Sequence, residues 1–175
     1  QVPAQGGPWA AYMLAPVEPK EPAATGKKKV RALGSTLFLR NLTSGRERTF
    51  SHVTEYSFAR DGKTLLYAVS APWEHRNGVY AVSTENRSRP VALLKGKGRY
   101  LKIAWNLAQT QAAFLSNHHD VRAAKPKLQI YVWNRGSGPA GPVITAGHPG
   151  MPADLYISEK AAPVFSRDGK KLFVE

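Results

Sequence analysis

The sequence contains no cysteine among its 175 residues. Structural disulfides, thiolate metal sites and a cysteine nucleophile are therefore excluded. No apolar run approaches the roughly 18 residues that a membrane-spanning helix needs, so we expect no membrane partner. The pattern G-x-S-x-G, which marks the nucleophile of α/β-hydrolases, is also absent from these residues. The chain therefore shows no sign of a catalytic nucleophile of its own.

Acidic side chains are scarce, with 12 Asp and Glu against 25 Lys and Arg, and the net charge is +13. Such a balance raises the hypothesis of binding to nucleic acid or another polyanion. However, the basic residues occur in short groups beside predicted turns, at 27–31, 46–48, 95–99, 125–127 and 170–171. Solvated loops explain this distribution more simply. We therefore do not expect nucleic acid as a partner, and polyanion binding remains a third, weaker hypothesis.

A short segment recurs along the chain with the order strand, turn, strand. The clearest copies are EYSFARDGKTLLY at 55–67 and APVFSRDGKKLF at 162–173. In both copies Asp-Gly joins two apolar stretches, and the glycine supplies the positive φ of a tight hairpin turn. A degenerate copy lies at 103–114, and a weaker one, GPWAAY, at 7–12, where a clear opening strand is missing. The sequence thus predicts a repeated β-hairpin.

Two further strands follow each full hairpin. The third strand of the unit is predicted at 36–41, 79–83 and 128–134, and the fourth at 47–50, 90–94 and 142–145, with polar turns between them. Phe58, Trp105 and Phe165 mark the same place in successive units. A recurring unit of four strands, roughly 40–50 residues long, is typical of a β-propeller blade.

We therefore predict an all-β fold, a partial β-propeller of four-stranded antiparallel blades with WD40-like repeats, about three to three and a half blades in all. The predicted organisation is a blade at 1–50 with an inserted loop at 17–34, a blade at 51–95, a blade at 99–146, an insert at 147–160, and the start of a truncated blade at 161–175. Because a closed propeller typically has at least four blades, we expect a fragment of a larger molecule. The alternative is that two copies associate through their open blade edges.

Few side chains suggest chemistry. His118 and His119 precede Asp120, but adjacent strand residues point to opposite faces and rarely share one metal ion. Ser137 lies in a Gly-Ser-Gly turn without the context of a nucleophile. Trp73 lies outside the repeat and is a candidate surface contact. We predict no catalytic, cofactor-binding or metal-binding residue and no cofactor.

The aromatic residues of the repeat could form stacking platforms for single-stranded nucleic acid beside the basic loops. Their recurring positions favour packing between blades instead. These residues are Trp9, Trp105, Trp133, Tyr12, Tyr67, Tyr80 and Tyr131.

Six segments together resemble the N-terminal propeller of large bacterial serine peptidases of the prolyl oligopeptidase family. They are LFLRNLTSGRE at 37–47, VTEYSF at 53–58, GVYAV at 78–82, GKGRY at 96–100, PGMP at 149–152 and FSRDG at 165–169. The resemblance covers essentially the whole chain. It implies a parent protein, periplasmic or secreted, with a C-terminal α/β-hydrolase domain and a Ser-Asp-His triad. No catalytic residue carries over to this chain.

The resemblance also implies a role. The propeller would lie over the active site and control the access of peptide substrates to a hydrolase domain that is absent here. The alternative, from a different class, is a non-enzymatic propeller scaffold for protein–protein interaction. The two hypotheses differ in whether the parent protein contains a hydrolase domain.

Overall fold

The computed structural model describes residues 1–14, 33–85, 88–123, 126–145, 148–149 and 156–174. Most of the predicted loop at 17–34 and part of the insert at 147–160 lie outside the described residues. The strands are β1 (Trp9–Met13), β2 (Ser35–Asn41), β3 (Glu47–Phe58), β4 (Thr64–Val69), β5 (Gly78–Ser83), β6 (Val91–Lys95), β7 (Tyr100–Trp105), β8 (Gln111–Ser116), β9 (Gln129–Asn134), β10 (Gly141–Ile144), β11 (Val164–Phe165) and β12 (Leu172–Phe173). Short 3₁₀ helices span Glu74–Arg76 and His118–Asp120.

Every strand pair in the described residues is antiparallel, and neighbours in sequence are neighbours in space. Strands β1 to β6 form one sheet in chain order, β7 to β10 form a second, and β11 pairs with β12. We name the units as follows: the first blade is β1, β2 and the first half of β3; the second is the other half of β3 with β4 to β6; the third is β7 to β10; the fourth begins with β11 and β12. The predicted strands at 36–41, 79–83 and 128–134 are confirmed as β2, β5 and β9.

Strand β3 joins the first two blades without a break, whereas the sequence pattern predicted separate strands at 47–50 and 55–58. Its first half pairs with β2 and its second half with β4. The register shifts between Val53 and Glu55, and His52 has a φ of 60°. A β-bulge of this kind bends a strand and increases its twist. The bend allows two blades to face each other although they share a strand.

The first blade gains its opening element from the beginning of the chain. The amide of Ala11 donates to the carbonyl of Gln1 at 2.9 Å, and the Gln1 ammonium donates to the carbonyl of Ala11 at 2.7 Å. Pro3 is buried beneath the Asp-Gly turn of the second blade, where a Cβ on Gly62 would come within 2.8 Å of it. The residues that precede β1 thus pair beside it, although they carry no strand pattern.

Strand β4 buries both of its faces because it lies between the first and the third blade. Leu66 and Ala68 point into a cluster shared with the third blade. Leu65, Tyr67 and Val69 point the opposite way, into a cluster shared with the first blade. Side chains alternate between faces along a strand, so a strand that is apolar at every position needs a neighbour on both sides.

Strand β8 repeats this arrangement in the third blade. Ala112 and Phe114 face the second blade. Ala113 and Leu115 pack with Ile157, and Phe165 of the fourth blade packs against the same cluster. Phe58 and Trp105, which mark the same place in the repeat as Phe165, likewise pack against clusters shared with the blade before theirs. The core therefore lies between the blades, in three layers.

The layer between the second and third blades can be tested at Leu66, which is fully buried there. We expect Leu66→Ala to lower the free energy of unfolding by about 2–5 kcal/mol, through lost burial and the cavity left behind. The measurement is equilibrium unfolding in urea.

The matched control is Leu107→Ala, because Leu107 is 48% exposed. This change should stay within about 0.5 kcal/mol of the unsubstituted chain. Equal losses for the two variants would contradict a core between the blades.

Candidate functional site: blade seams and the loop surface

Glu55 joins the first strands of the second and third blades. Its two carboxylate oxygens accept hydrogen bonds from the backbone amides of Lys102 at 2.7 Å and Ile103 at 2.6 Å. Lys102 has a φ of 62°, and the register of β7 shifts between Leu101 and Ala104. The bulge turns two consecutive amides toward one anion, which is the geometry of a backbone anion nest. Glu55 therefore satisfies the backbone groups that the bulge removes from the sheet.

Burial raises the pKa of Glu55, and the amides of Ile103 and Lys102 act in the opposite direction by stabilising the carboxylate. The carboxylate thus accepts hydrogen bonds across the contact between the second and third blades, which we call the seam. Because both of its oxygens accept backbone amides of the neighbouring blade, we assign Glu55 a structural role.

We expect Glu55→Gln to lower the free energy of unfolding by about 1–3 kcal/mol at neutral pH. A glutamine amide has one acceptor oxygen, and its NH₂ group would face an amide donor of the bulge. Thermal or chemical unfolding at neutral pH measures the loss.

Glu85→Gln is the control, because Glu85 forms an exposed ion pair with Lys63 at 3.0 Å. Pairs of this kind contribute about 0–1 kcal/mol. If the two variants were equally stable, the nest at Lys102 and Ile103 would not hold the seam.

Asp61 and Arg135 join the same two blades at the hairpin turns. The Arg135 guanidinium lies 2.9 Å and 3.2 Å from the two Asp61 oxygens and also donates to the Thr64 hydroxyl at 2.9 Å. It lies over the Trp105 ring, 5.9 Å from the centroid. The sequence predicted this Asp-Gly turn from the backbone conformation that glycine allows. The structure shows that the aspartate of the turn also contacts Arg135 of the third blade.

Burial acts to raise the pKa of Asp61, but the Lys63 amide and the Arg135 guanidinium outweigh it, so this pKa lies below its ordinary value. A carboxyl whose pKa is lowered by folding adds stability above the ordinary value of 3.8. That stability is lost as the pH falls through the lower, folded-state pKa.

We therefore expect Asp61→Asn to be less stable than the unsubstituted chain at neutral pH, and the difference to shrink as the pH falls below 3.8. Unfolding curves recorded across this acid range test the prediction. The control is the same substitution in an Arg135→Gln background, where the guanidinium no longer contributes and the loss caused by Asp61→Asn should be smaller. An equal loss in both backgrounds would argue against the Arg135 contact.

The opposite ends of the blades carry an aromatic and basic surface, which we call the loop surface: Trp73, Arg76, Lys97, Arg99, His118 and His119. Trp73 is 55% exposed, and the Arg76 guanidinium lies 5.1 Å from the centroid of its ring. Glu74 pairs with Lys97 at 3.3 Å and so links the loop of the second blade to the connection that leads into the third. The sequence singled out Trp73 as a surface contact, and its exposure is confirmed.

Two glycines of the GKGRY segment allow His118 to pack against this connection. Gly96 has a φ of 132°, and a Cβ there would approach the His118 ring to 2.7 Å. The His118 Nδ1 lies 3.0 Å from the Lys97 carbonyl oxygen and 3.0 Å from the Tyr100 hydroxyl. His118 is half-buried and lies between these two loops.

His119 turns the other way, and its Nδ1 hydrogen-bonds to the Tyr131 hydroxyl. The Tyr131 hydroxyl donates its proton to the Gln129 side-chain oxygen at 3.1 Å. Burial raises the pKa of Tyr131 to about 12, so this phenol stays protonated. The rings of His118 and His119 meet edge to face at 5.1 Å. Among the described residues, no group of three or more His, Cys, Asp or Glu side chains could hold a metal ion.

Part of the predicted insert at 147–160 lies on the loop surface. Arg99 pairs with Glu159 at 2.5 Å, and the Lys127 ammonium lies 4.8 Å from the centroid of the Tyr156 ring. Ile157 anchors this stretch in the core beside β8. Within the part of the chain that the structure describes, no helix is long and apolar enough to cross a bilayer.

The predicted packing of the repeat aromatics between blades is confirmed for six of seven. Trp9, Tyr67 and Tyr80 pack into the layer between the first and second blades. Trp105, Trp133 and Tyr131 pack into the next layer. The prediction is wrong for Tyr12, which is 39% exposed, because its face of the first blade has no described sheet against it.

Comparison with known proteins identifies the fold. No family model and no curated protein matches the sequence. The structure is similar to the β-propeller domain of the Trilobed protease from Pyrococcus furiosus, with a TM-score of 0.55, 14% identity, and coverage of 85% of this chain and 43% of that one. It is also similar to the tricorn protease, with a TM-score of 0.53, 15% identity, and coverage of 81% of this chain and 13% of that one.

The chain thus spans less than half the length of either structure. At this identity the similarity establishes the fold and no more. The chain has the all-β, antiparallel fold of a β-propeller, as the repeat predicted.

Proposed function

We propose that this chain is the non-catalytic propeller part of a serine peptidase of the prolyl oligopeptidase family. In this role it controls which peptides reach a C-terminal α/β-hydrolase domain that lies outside these residues. The observation that carries the proposal is the order of the six resembling segments on a chain that has the propeller fold. Both similar structures reported above come from proteins named as proteases.

The geometry of the seam supports a role in filtering rather than in chemistry. Glu55 and Asp61 tie the second and third blades together at two separate places. The ring nitrogens of His118 and His119 that make described contacts bond to tyrosine hydroxyls and a backbone carbonyl. Two blades that are joined at two places form a rigid boundary, which can exclude a folded protein while it admits a flexible peptide.

The loop surface supports contact with another domain. It combines the exposed indole of Trp73 with several cations, and aromatic residues and arginine are enriched at protein interfaces. The periplasmic or secreted location in a bacterium belongs to the same proposal, since it rests on the same resemblance.

The test uses a fluorophosphonate probe, which labels activated serines, on the full-length protein purified from its source and on the 175-residue chain. We expect the full-length protein to carry label on one serine outside residues 1–175, and the 175-residue chain to remain unlabelled and to hydrolyse no peptide. Mass spectrometry of the labelled peptide locates the serine, and heat-denatured protein is the control.

Label on a serine within 1–175, or a full-length protein without any reactive serine, would overturn the proposal. The second of these outcomes would favour the alternative, a non-enzymatic scaffold that binds a protein partner. The exposed Trp73 beside Arg76 is the observation that supports that alternative.

A further inference from the structure

A cavity of about 360 Å³ lies between the second and third blades, at the end of the blades where the hairpin turns are. The second blade contributes the start of β4, the end of β5 and strand β6, and the third blade contributes Trp133 and the turn that follows β9. Each of these blades has its four strands in the structure, so the cavity is enclosed by complete repeats. Its volume falls in the range of small-molecule sites in proteins.

The buried residues of the cavity wall are apolar, whereas the exposed ones are mostly polar. Leu93 and Trp133 are only 1% and 5% exposed. Ser88, Arg89 and Ser137 line the same cavity and are exposed to solvent. A site with this distribution suits a ligand that has an apolar group at one end and a polar or charged group at the other.

The cations at this cavity are not fully matched by carboxylates. Arg135 pairs with Asp61 at 2.9 Å, and Glu85 pairs with Lys63 at 3.0 Å. Arg89 lines the cavity and has no carboxylate partner among the described residues. A guanidinium binds a carboxylate through two parallel N–H···O bonds. The unmatched charge of Arg89 therefore favours a carboxylate at the charged end of the ligand.

The connection that carries Arg89 is held in place by the first blade. The Arg48 guanidinium donates to the Ser83 carbonyl at 3.2 Å and to the Ser88 carbonyl at 2.8 Å. These two bonds fix the backbone immediately before Arg89. A site that is ordered before the ligand arrives loses less conformational entropy on binding.

Trp133 adds a hydrogen-bond donor to the cavity wall. Its ring packs edge to face against Trp105, with centroids 6.1 Å apart. Its indole N–H is buried and has no acceptor in the part of the chain that the structure describes. A buried donor without an acceptor lowers stability. A carboxylate beside an apolar group would bring both acceptor oxygens and apolar surface to this wall.

We propose that this cavity binds a carboxylate attached to an apolar group, with the carboxylate at Arg89 and the apolar group against Leu93 and Trp133. The C-terminal residue of a peptide and a small free organic acid share this chemistry. The site lies at the opposite end of the blades from the loop surface. It therefore goes beyond the proposed function and does not depend on a hydrolase domain.

The experiment titrates the isotope-labelled 175-residue chain with N-acetyl-leucine and follows the indole N–H resonances by NMR. We expect the resonance of Trp133, identified by its absence from Trp133→Phe, to move during the titration. The dissociation constant should be on the order of 1 mM or lower, because a ligand of about a dozen non-hydrogen atoms supplies limited binding energy. Trp9 and Trp73, on the first blade and on the loop surface, should keep their positions.

An uncharged ligand and two variants test the role of charge. N-acetyl-leucinamide has the same apolar group without the carboxylate and should bind about tenfold more weakly. Arg89→Gln should weaken the binding of N-acetyl-leucine by a similar factor. Val91→Asp should also weaken it, because Val91 lines the cavity and the new carboxylate repels that of the ligand.

The matched control is Arg46→Gln, in an exposed turn of the first blade, which should bind like the unsubstituted chain. Arg46, Arg89 and Val91 are all exposed, so we expect each variant to fold. The dispersion of the amide resonances verifies this in the same spectra.

A longer ligand distinguishes the two sources of the carboxylate. Tighter binding of N-acetyl-Gly-Gly-Leu than of N-acetyl-leucine would identify a peptide C-terminus, and equal or weaker binding would identify a small free acid. The proposal is overturned if acid and amide bind equally, if Arg89→Gln binds like Arg46→Gln, or if the resonance that moves is that of Trp73. The absence of any shift at millimolar ligand would overturn it as well.

Discussion

The structure depends on the need to cover both faces of sheets that are apolar on both sides. Strand β4 has buried residues from Leu65 to Val69, and β8 has them from Ala112 to Ser116. Water would meet one side of such a strand in a two-layer fold, at a cost of roughly 25 cal/mol for each Å² of apolar surface. Stacking the blades face to face removes both sides of these strands from water.

Polar contacts then determine how neighbouring blades are aligned. The apolar layers are tolerant of small slides, because hydrophobic packing has little directionality. Glu55 in its nest and Asp61 with Arg135 are directional, and each joins the second blade to the third at a different point. These ionised groups lie at the margins of the core, where partial exposure reduces the cost of desolvation. Alignment and stability therefore come from different parts of the seam.

Connections between strands, rather than the strands themselves, form the surface at one end of the blades. The loop surface is made of segments that interrupt the repeat, with Trp73 and His118. Loops on a rigid scaffold can vary without disturbing the packing beneath them, which is why we assign contact with another domain to that surface.

Local sequence determined the repeated strands and their turns. Alternation of apolar residues and the positive φ required by Asp-Gly act over a few positions, so β4, β5 and β9 could be predicted without any tertiary structure. Local sequence could not predict that β3 is continuous, that Gln1 pairs with Ala11, or that the Lys102 amide binds Glu55. Glu55 and Asp61 find partners 47 and 74 residues away, and no local pattern encodes such a distance. Only the stacking of blades brings these groups together, and only it decides that Tyr67 is buried while Tyr12, in the same local pattern, is exposed.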